Sequence, residues 1–249
     1  WGTPVDAEKL QTALAEHPDA KIVAFVHAET STGVCSDTKA LCAMAAEAGC
    51  LSIVDSVTGL AGVELRVDDW AADVTYSGTQ KCLSAPPGIS LITFSEKAAD
   101  RVQSRNTPVQ SWFLDLSLLM AYWQGEGART YHHTAPVNAM YGLHEALLMV
   151  KEEGIENAWQ RHREMHESLA QGVQSLGLDF VVAADSRLPQ LNLVRCPEGL
   201  DEAAVRKRLL HDYNLEIGAG LGAFAGKVWR IGLMGYSARR ENIELCISA

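Results

Sequence analysis

Lys21-Ile22-Val23-Ala24-Phe25-Val26-His27, a polar turn at Glu29-Thr30-Ser31-Thr32-Gly33, an Ala- and Leu-rich stretch from about Asp37 to Ala48, then Leu51-Ser52-Ile53-Val54-Asp55: this run decides the fold class. The two short apolar segments are bounded by turn residues and read as buried strands, and the stretch between them reads as a helix. Apolar strands alternating with amphipathic helices form an α/β layer with a mostly parallel sheet. Outward from this unit, apolar residues at helical spacing run from Val5 to Leu14 behind Asp6, a predicted N-cap, until His17-Pro18-Asp19 breaks the pattern. Val74-Thr75-Tyr76 and Ile89-Ser90-Leu91-Ile92-Thr93-Phe94 read as further strands.

Around Pro136 the texture changes. A helix is expected from about Val137 to Glu152, an interruption at Gly154, and a second helix from about Ile155 to Leu176. A smaller α+β segment follows, with Leu191-Asn192-Leu193-Val194, a helix near Glu202–His211, and Val228-Trp229-Arg230-Ile231. The expected division is a large domain over residues 1–153, incomplete at its N-terminus, and a small C-terminal domain with its connecting helix over 154–249.

The 249 residues carry 21 Lys plus Arg against 31 Asp plus Glu, a formal net charge of −10. That balance argues against a surface built to neutralise nucleic-acid phosphates. No apolar run approaches the length that spans a bilayer, so no membrane association is expected. The six cysteines form no CxxC pair and read as reduced thiols of a cytoplasmic protein, with neither a disulfide scaffold nor a zinc site. His162 and His166 lie at i, i+4 on one helix, but Arg163 stands where the metalloprotease pattern needs Glu. His132-His133, adjacent on an extended segment, are expected to point in opposite directions. Both pairs read as structural, and no metal is expected. The glycines at Gly218, Gly220, Gly222 and Gly226 lack the strand-then-helix context of a nucleotide loop and read as a flexible loop.

In open α/β sheets ligands bind beyond the carboxyl ends of the strands. Thr30, Asp55 and Lys81 all stand at such ends. Lys81, between Gln80 and Cys82 and just before Pro86-Pro87-Gly88, sits in a stiff turn with few solvating charges. There an amine is suited to act as a Schiff-base nucleophile. A carboxylate on a separate strand end is the partner that keeps a pyridine nitrogen protonated.

Val54-Asp55-Ser56-Val57 followed by Tyr76-Ser77-Gly78-Thr79-Gln80-Lys81 resembles the class V, fold-type I pyridoxal-phosphate aminotransferases, in the alanine–glyoxylate / serine–pyruvate branch. Glu29-Thr30-Ser31-Thr32-Gly33, Tyr131-His132-His133-Thr134-Ala135-Pro136 and Trp229-Arg230-Ile231-Gly232-Leu233-Met234-Gly235 extend the resemblance along essentially the whole chain. It implies pyridoxal 5'-phosphate as cofactor, with Lys81 forming its Schiff base and shuttling the proton. It further implies Asp55 at the pyridine nitrogen, Val57 on one ring face, Gln80 at the phosphate, and Thr30 near the phenolic oxygen, where the family often has Ser. Tyr131 and Thr134 would reach the phosphate of a neighbouring subunit's cofactor, so a homodimer is implied. Arg230 would clamp the substrate carboxylate, a task suited to a guanidinium fork. The implied activity is ping-pong transfer of an amino group from alanine or serine to glyoxylate or pyruvate. Alternatives are 2-aminoethylphosphonate transamination, a lyase, or a non-catalytic dimerising chain. The resemblance also implies an upstream third, outside this sequence, that carries a Gly-rich helix start for the phosphate and an aromatic for the other ring face.

Overall fold

The computed structural model describes residues 1–124 and 130–249. The first element, α1 (Ala7–Glu16), starts where Asp6 Oδ1 accepts the Glu8 and Lys9 amides at 2.9 and 3.2 Å, satisfying donors that a helix leaves open at its N-terminus. β1 (Ile22–Val26) leads into a tight hairpin of β2 (Ala28–Glu29) and β3 (Val34–Cys35), and α2 (Thr38–Glu47) returns the chain to β4 (Leu51–Asp55). β1 and β4 pair in parallel, β4 and β5 (Val74–Gly78) also in parallel, and β6 (Ser90–Phe94) closes the sheet antiparallel to β5. The strand order is β1-β4-β5-β6. The mostly parallel α/β layer expected from the alternation of strand and helix is therefore present.

One core lies between this sheet and α2. Val23, Phe25 and Val54 from the strands bury against Leu41, Cys42 and Ala45 from the helix. At about 25 cal/mol per Å² of apolar surface removed from water, such contacts hold α2 on the sheet more firmly than its intrinsic propensity does. α3 (Glu96–Gln103) and α4 (Leu116–Gln124) follow, then α5 (Val137–Glu153) and α6 (Ile155–Ser175). Gly154 divides the last two at φ +85°, a conformation that favours glycine. The C-terminal elements are β7 (Leu191–Arg195), α7 (Glu202–Tyr213), β8 (Gly218–Ala219), β9 (Val228–Gly232) and α8 (Arg240–Ser248). The three strands form an antiparallel sheet in the order β7-β9-β8, whose core joins Leu169 and Val173 of α6 to Val194, Trp229, Ile231 and Ile243.

Three helices, α3, α4 and α8, carried no sequence expectation, and the glycine loop is corrected in part. Gly218–Ala219 pairs with Arg230 and Trp229 as a short strand. The glycines serve close approach here: a Cβ at Gly220 would lie 2.1 Å from the Phe224 carbonyl oxygen. The histidine pair at 132 and 133 is also corrected. Their rings turn toward each other, Nδ1 to Nδ1 at 2.8 Å, because His132 stacks on Trp112 at 4.1 Å between centroids and the segment is not a strand. His162 bonds backbone through both ring nitrogens, Nδ1 to the Ala158 carbonyl at 2.6 Å and Nε2 to the Gly235 amide at 2.9 Å. Nε2 must accept from that amide, so Nδ1 carries the proton and donates. Among the described residues no helix is long and apolar enough to cross a membrane.

His27, 2% exposed, packs edge-on against Trp70, and its Nδ1 has no hydrogen-bond partner among the described residues. Burial lowers its pKa from 6.5 to about 4. The unfolded chain therefore takes a proton at this residue below pH 6.5 that the folded chain refuses. Stability present above that pH is lost as pH falls toward 4. Urea unfolding at pH 7 and pH 4.5 should show a loss of roughly 2–3 kcal/mol from this residue. In His27→Phe the pH dependence should shrink by that amount, and an unchanged slope would refute the assignment.

Candidate active site

The parallel strands β1, β4 and β5 point their carboxyl ends the same way, and the chain leaving each carries a polar group singled out in the sequence. After β1 the hairpin turn holds Thr30. The Gly33 amide donates to the Glu29 carbonyl at 2.8 Å, and Glu29 Oε1 accepts from the Ser31 amide and hydroxyl at 2.8 and 2.7 Å. Gly33 itself has φ +72°, and a Cβ there would lie 2.6 Å from the Leu191 carbonyl oxygen of β7. The turn therefore closes directly on the C-terminal sheet.

β4 ends at Asp55, whose carboxylate is bonded at both oxygens. The Val57 amide donates to Oδ1 at 2.9 Å and the Tyr76 hydroxyl donates to Oδ2 at 2.7 Å. Val57 follows, half-buried, and Thr58 continues the turn with its hydroxyl hydrogen-bonded to that of Thr30. Tyr76 and Thr58 are the residues of this site that the sequence reading did not assign. Tyr76 was legible only through strand register: parallel neighbours with the same inward phase bring their side chains together. The Thr58 hydroxyl had no local signal at all, since its partner lies 28 residues away.

Beyond β5 the loop carrying Lys81 is closed on itself, as the proline-rich sequence led us to expect. The Thr79 hydroxyl donates to the Pro86 carbonyl at 2.6 Å, and the Ala85 and Ser84 amides donate to the Thr79 and Lys81 carbonyls at 3.0 and 2.9 Å. Lys81 is half-buried, and none of the ion pairs among the described residues engages it. Gln80 is exposed, with its side chain folded over Gly78, where a Cβ would lie 2.7 Å from its Oε1. Cys82 is a buried thiol whose pKa burial pushes up to about 12, so it is not a nucleophile at neutral pH.

The C-terminal sheet completes the arrangement. Arg230 on β9 donates through Nε to the Ala219 carbonyl at 2.7 Å and through Nη1 to the Thr30 carbonyl at 3.3 Å, across 200 residues of sequence. Gln190, fully buried just before β7, donates Nε2 to the Thr58 carbonyl at 2.7 Å. Hydrogen bonds thus link Asp55 to Val57, and Arg230 through Thr30 to Thr58, the residue next to Val57, while Lys81 stands just beyond the end of the adjoining strand. Among the described residues no hydrogen bond joins Tyr131 or Thr134 to this group; both are exposed, with their hydroxyls 2.6 Å from each other.

A sequence model of the family described as Aminotransferase class-V matches residues 3–244. The chain belongs to this family. Among similar proteins, the (S)-ureidoglycine–glyoxylate transaminase of Bacillus subtilis is 38% identical over 98% of this chain and 62% of its own length. The alanine–glyoxylate aminotransferase of Rattus norvegicus is 40% identical over 95% of this chain and 58% of its own. A solved alanine–glyoxylate aminotransferase from Nostoc sp. superposes with a TM-score of 0.95 at 45% identity, covering 100% of this chain and 65% of that one. The resemblance drawn from the motifs is borne out, as is the fold type. The chain spans about six-tenths of the length of these relatives.

Gly33→Ala tests whether the Thr30 turn and β7 depend on each other. The variant meets both a positive φ and a carbonyl at 2.6 Å. It should lose about 2–4 kcal/mol of stability in chemical denaturation. A loss below about 1 kcal/mol would show that the turn moves away from β7 freely.

Proposed function

We propose that this chain is the catalytic part of a pyridoxal-phosphate aminotransferase that moves an amino group from alanine or serine to glyoxylate or pyruvate in two half-reactions. The observation that carries this reading is the Arg230–Thr30 bond, which ties a guanidinium of the C-terminal sheet to the turn after β1, the strand that pairs with the one ending at Asp55. Membership of the class-V family and the names of its relatives support the reaction class.

The donor set fits pyridoxal phosphate. An amine with no ion-pair partner among the described residues stands one strand away from a carboxylate whose orientation two donors hold. When bound, the cofactor supplies an electron sink for the pair left at the substrate's α-carbon. The chain's own residues do the rest. Lys81 anchors the cofactor and moves a proton at the α-carbon, Asp55 keeps the pyridine nitrogen protonated, and Val57 packs on one ring face. Thr30 and Gln80 bind at the phenolic oxygen and the phosphate. Arg230 holds the substrate carboxylate through nitrogens left over from its bonds to Ala219 and Thr30. In this reading residues 1–153 hold the cofactor and residues 154–249 supply the clamp.

The functional unit is a homodimer. Tyr131 and Thr134 present two adjacent hydroxyls to solvent, as a phosphate of a neighbouring subunit would require. Near them in sequence Trp112, Phe113, Trp123, Met140 and Tyr141 are large apolar side chains left exposed, an area that a second subunit would cover. Six free cysteines accord with a cytoplasmic setting.

Full-length protein loaded with cofactor and offered alanine, serine, ureidoglycine or 2-aminoethylphosphonate distinguishes the donors by the oxoacid released. Lys81→Ala should lose at least about 10²–10⁴-fold in turnover, the usual worth of a positioned acid–base group, with its melting temperature retained. Near-normal turnover would remove Lys81 from its role. Arg230→Lys keeps the charge but not the fork, so KM for both amino acid and oxoacid should rise about tenfold or more. Unchanged KM values would place the clamp elsewhere.

A further inference from the structure

Asp55 and Tyr76 are register partners on the parallel strands β4 and β5, so their side chains leave the same face of the sheet. A carboxylate at a strand end turns easily about its last torsion, which is broad and roughly two-fold. Here two donors at fixed positions stop that rotation: the Val57 amide at Oδ1 and the Tyr76 hydroxyl at Oδ2. The tyrosine is itself anchored, because its carbonyl accepts both the amide and the hydroxyl of Ser56 at 2.9 Å each. Burial and the neighbouring Asp55 charge push the Tyr76 pKa up to about 12, so the phenol keeps its proton and donates at any neutral pH.

We propose that Tyr76 is a positioning residue for Asp55, holding its carboxylate in one orientation toward the ligand nitrogen it faces. A carboxylate oxygen has more than one acceptor direction, so Oδ2 can take the phenol and a ring N–H together. A charge-assisted hydrogen bond is roughly twice as strong as a neutral one, so it holds the carboxylate against rotation. A carboxylate oxygen held toward the pyridine nitrogen would keep the proton on the ring, where the electron sink needs it. Without the phenol the carboxylate would be freer to turn away, and the ring nitrogen would lose its acceptor. This inference rests on the reading that Asp55 meets a pyridine nitrogen. The competing account is that Tyr76 merely uses the nearest acceptor to satisfy its own hydroxyl.

Full-length Tyr76→Phe, Asp55→Asn and the double variant separate the two accounts. Cofactor is titrated by visible absorbance and induced circular dichroism, and the protonation of its ring is read from the resonance of ¹⁵N-labelled pyridoxal phosphate. Tyr76→Phe should raise the cofactor Kd about tenfold. It should also move the nitrogen resonance toward that of unprotonated pyridine, with the melting temperature nearly unchanged. In the Asp55→Asn background the same substitution should add nothing, because Tyr76 acts through the carboxylate. Site-specific 3-fluorotyrosine at position 76, a more acidic donor that keeps the ring in place, should move the resonance the opposite way, and it serves as the test if Tyr76→Phe folds poorly. Wild-type Kd and nitrogen signal in Tyr76→Phe, or an equal loss in both backgrounds, overturns the proposal while leaving the enzyme reading intact. A wild-type protein that takes up no cofactor overturns both.

Discussion

Two hydrogen bonds that cross from the C-terminal sheet to the strand ends of the first sheet hold the site together. Arg230 reaches the Thr30 carbonyl and Gln190 the Thr58 carbonyl. Each acceptor is a backbone group in a turn, where no strand or helix ladder would satisfy it, and each donor comes from a rigid strand or its start. Gln190 is bonded a second time, its backbone carbonyl accepting the Leu233 amide at 2.9 Å just beyond β9. The spacing of Arg230 from the turns after β1 and β4 is thus set by two side chains, each rooted at β7 or β9 and each ending on a backbone carbonyl.

A second set of contacts locks the Lys81 loop to the same frame. Arg161 forks onto Glu153 and spends its remaining nitrogen on the Gly235 and Ala238 carbonyls at 2.8 and 3.2 Å. Gly235, at φ +56°, lies so close to the loop that a Cβ would meet the Ser84 hydroxyl at 2.1 Å and the Cys82 carbonyl at 2.4 Å. The Ser84 hydroxyl in turn accepts the Tyr236 amide at 2.9 Å. One turn following β9 therefore contacts α6, α6's ion pair and the loop that carries Lys81. A guanidinium–carboxylate fork alone is worth little at a surface. This one is half-buried and also satisfies two carbonyls, so losing either partner would strand polar groups as well as break an ion pair.

The opposite end of the first sheet is held by a different device. Asp73, buried before β5, accepts the Ser52 amide at 3.0 Å and the Ser95 hydroxyl at 2.8 Å, while its own amide donates to the Ser52 hydroxyl at 2.9 Å. A buried carboxylate with this many donors is compensated for its lost hydration. It couples β4, β5 and the start of α3, leaving the carboxyl ends of the strands free to be shaped for a ligand.

Local chemistry alone determined the elements with strong caps and periodicity. Asp6, the Thr38–Glu47 helix behind Asp37, the break at Gly154 and the strands around Asp55 all follow from interactions within a few residues. The motif around Lys81 and its placement after a strand were equally legible, because a turn closed by prolines and short hydrogen bonds is encoded where it stands. Tertiary structure decided what depends on partners distant in sequence. The antiparallel sense of β6 and the strand made by Gly218–Ala219 require neighbours that no window of sequence contains. So do the inward turn of His132 on Trp112, the Thr30–Thr58 hydroxyl pair and the phenol of Tyr76 on Asp55. Sequence named the groups that carry charge and protons, and the packing of one sheet's strand ends against the other set which atoms of those groups meet.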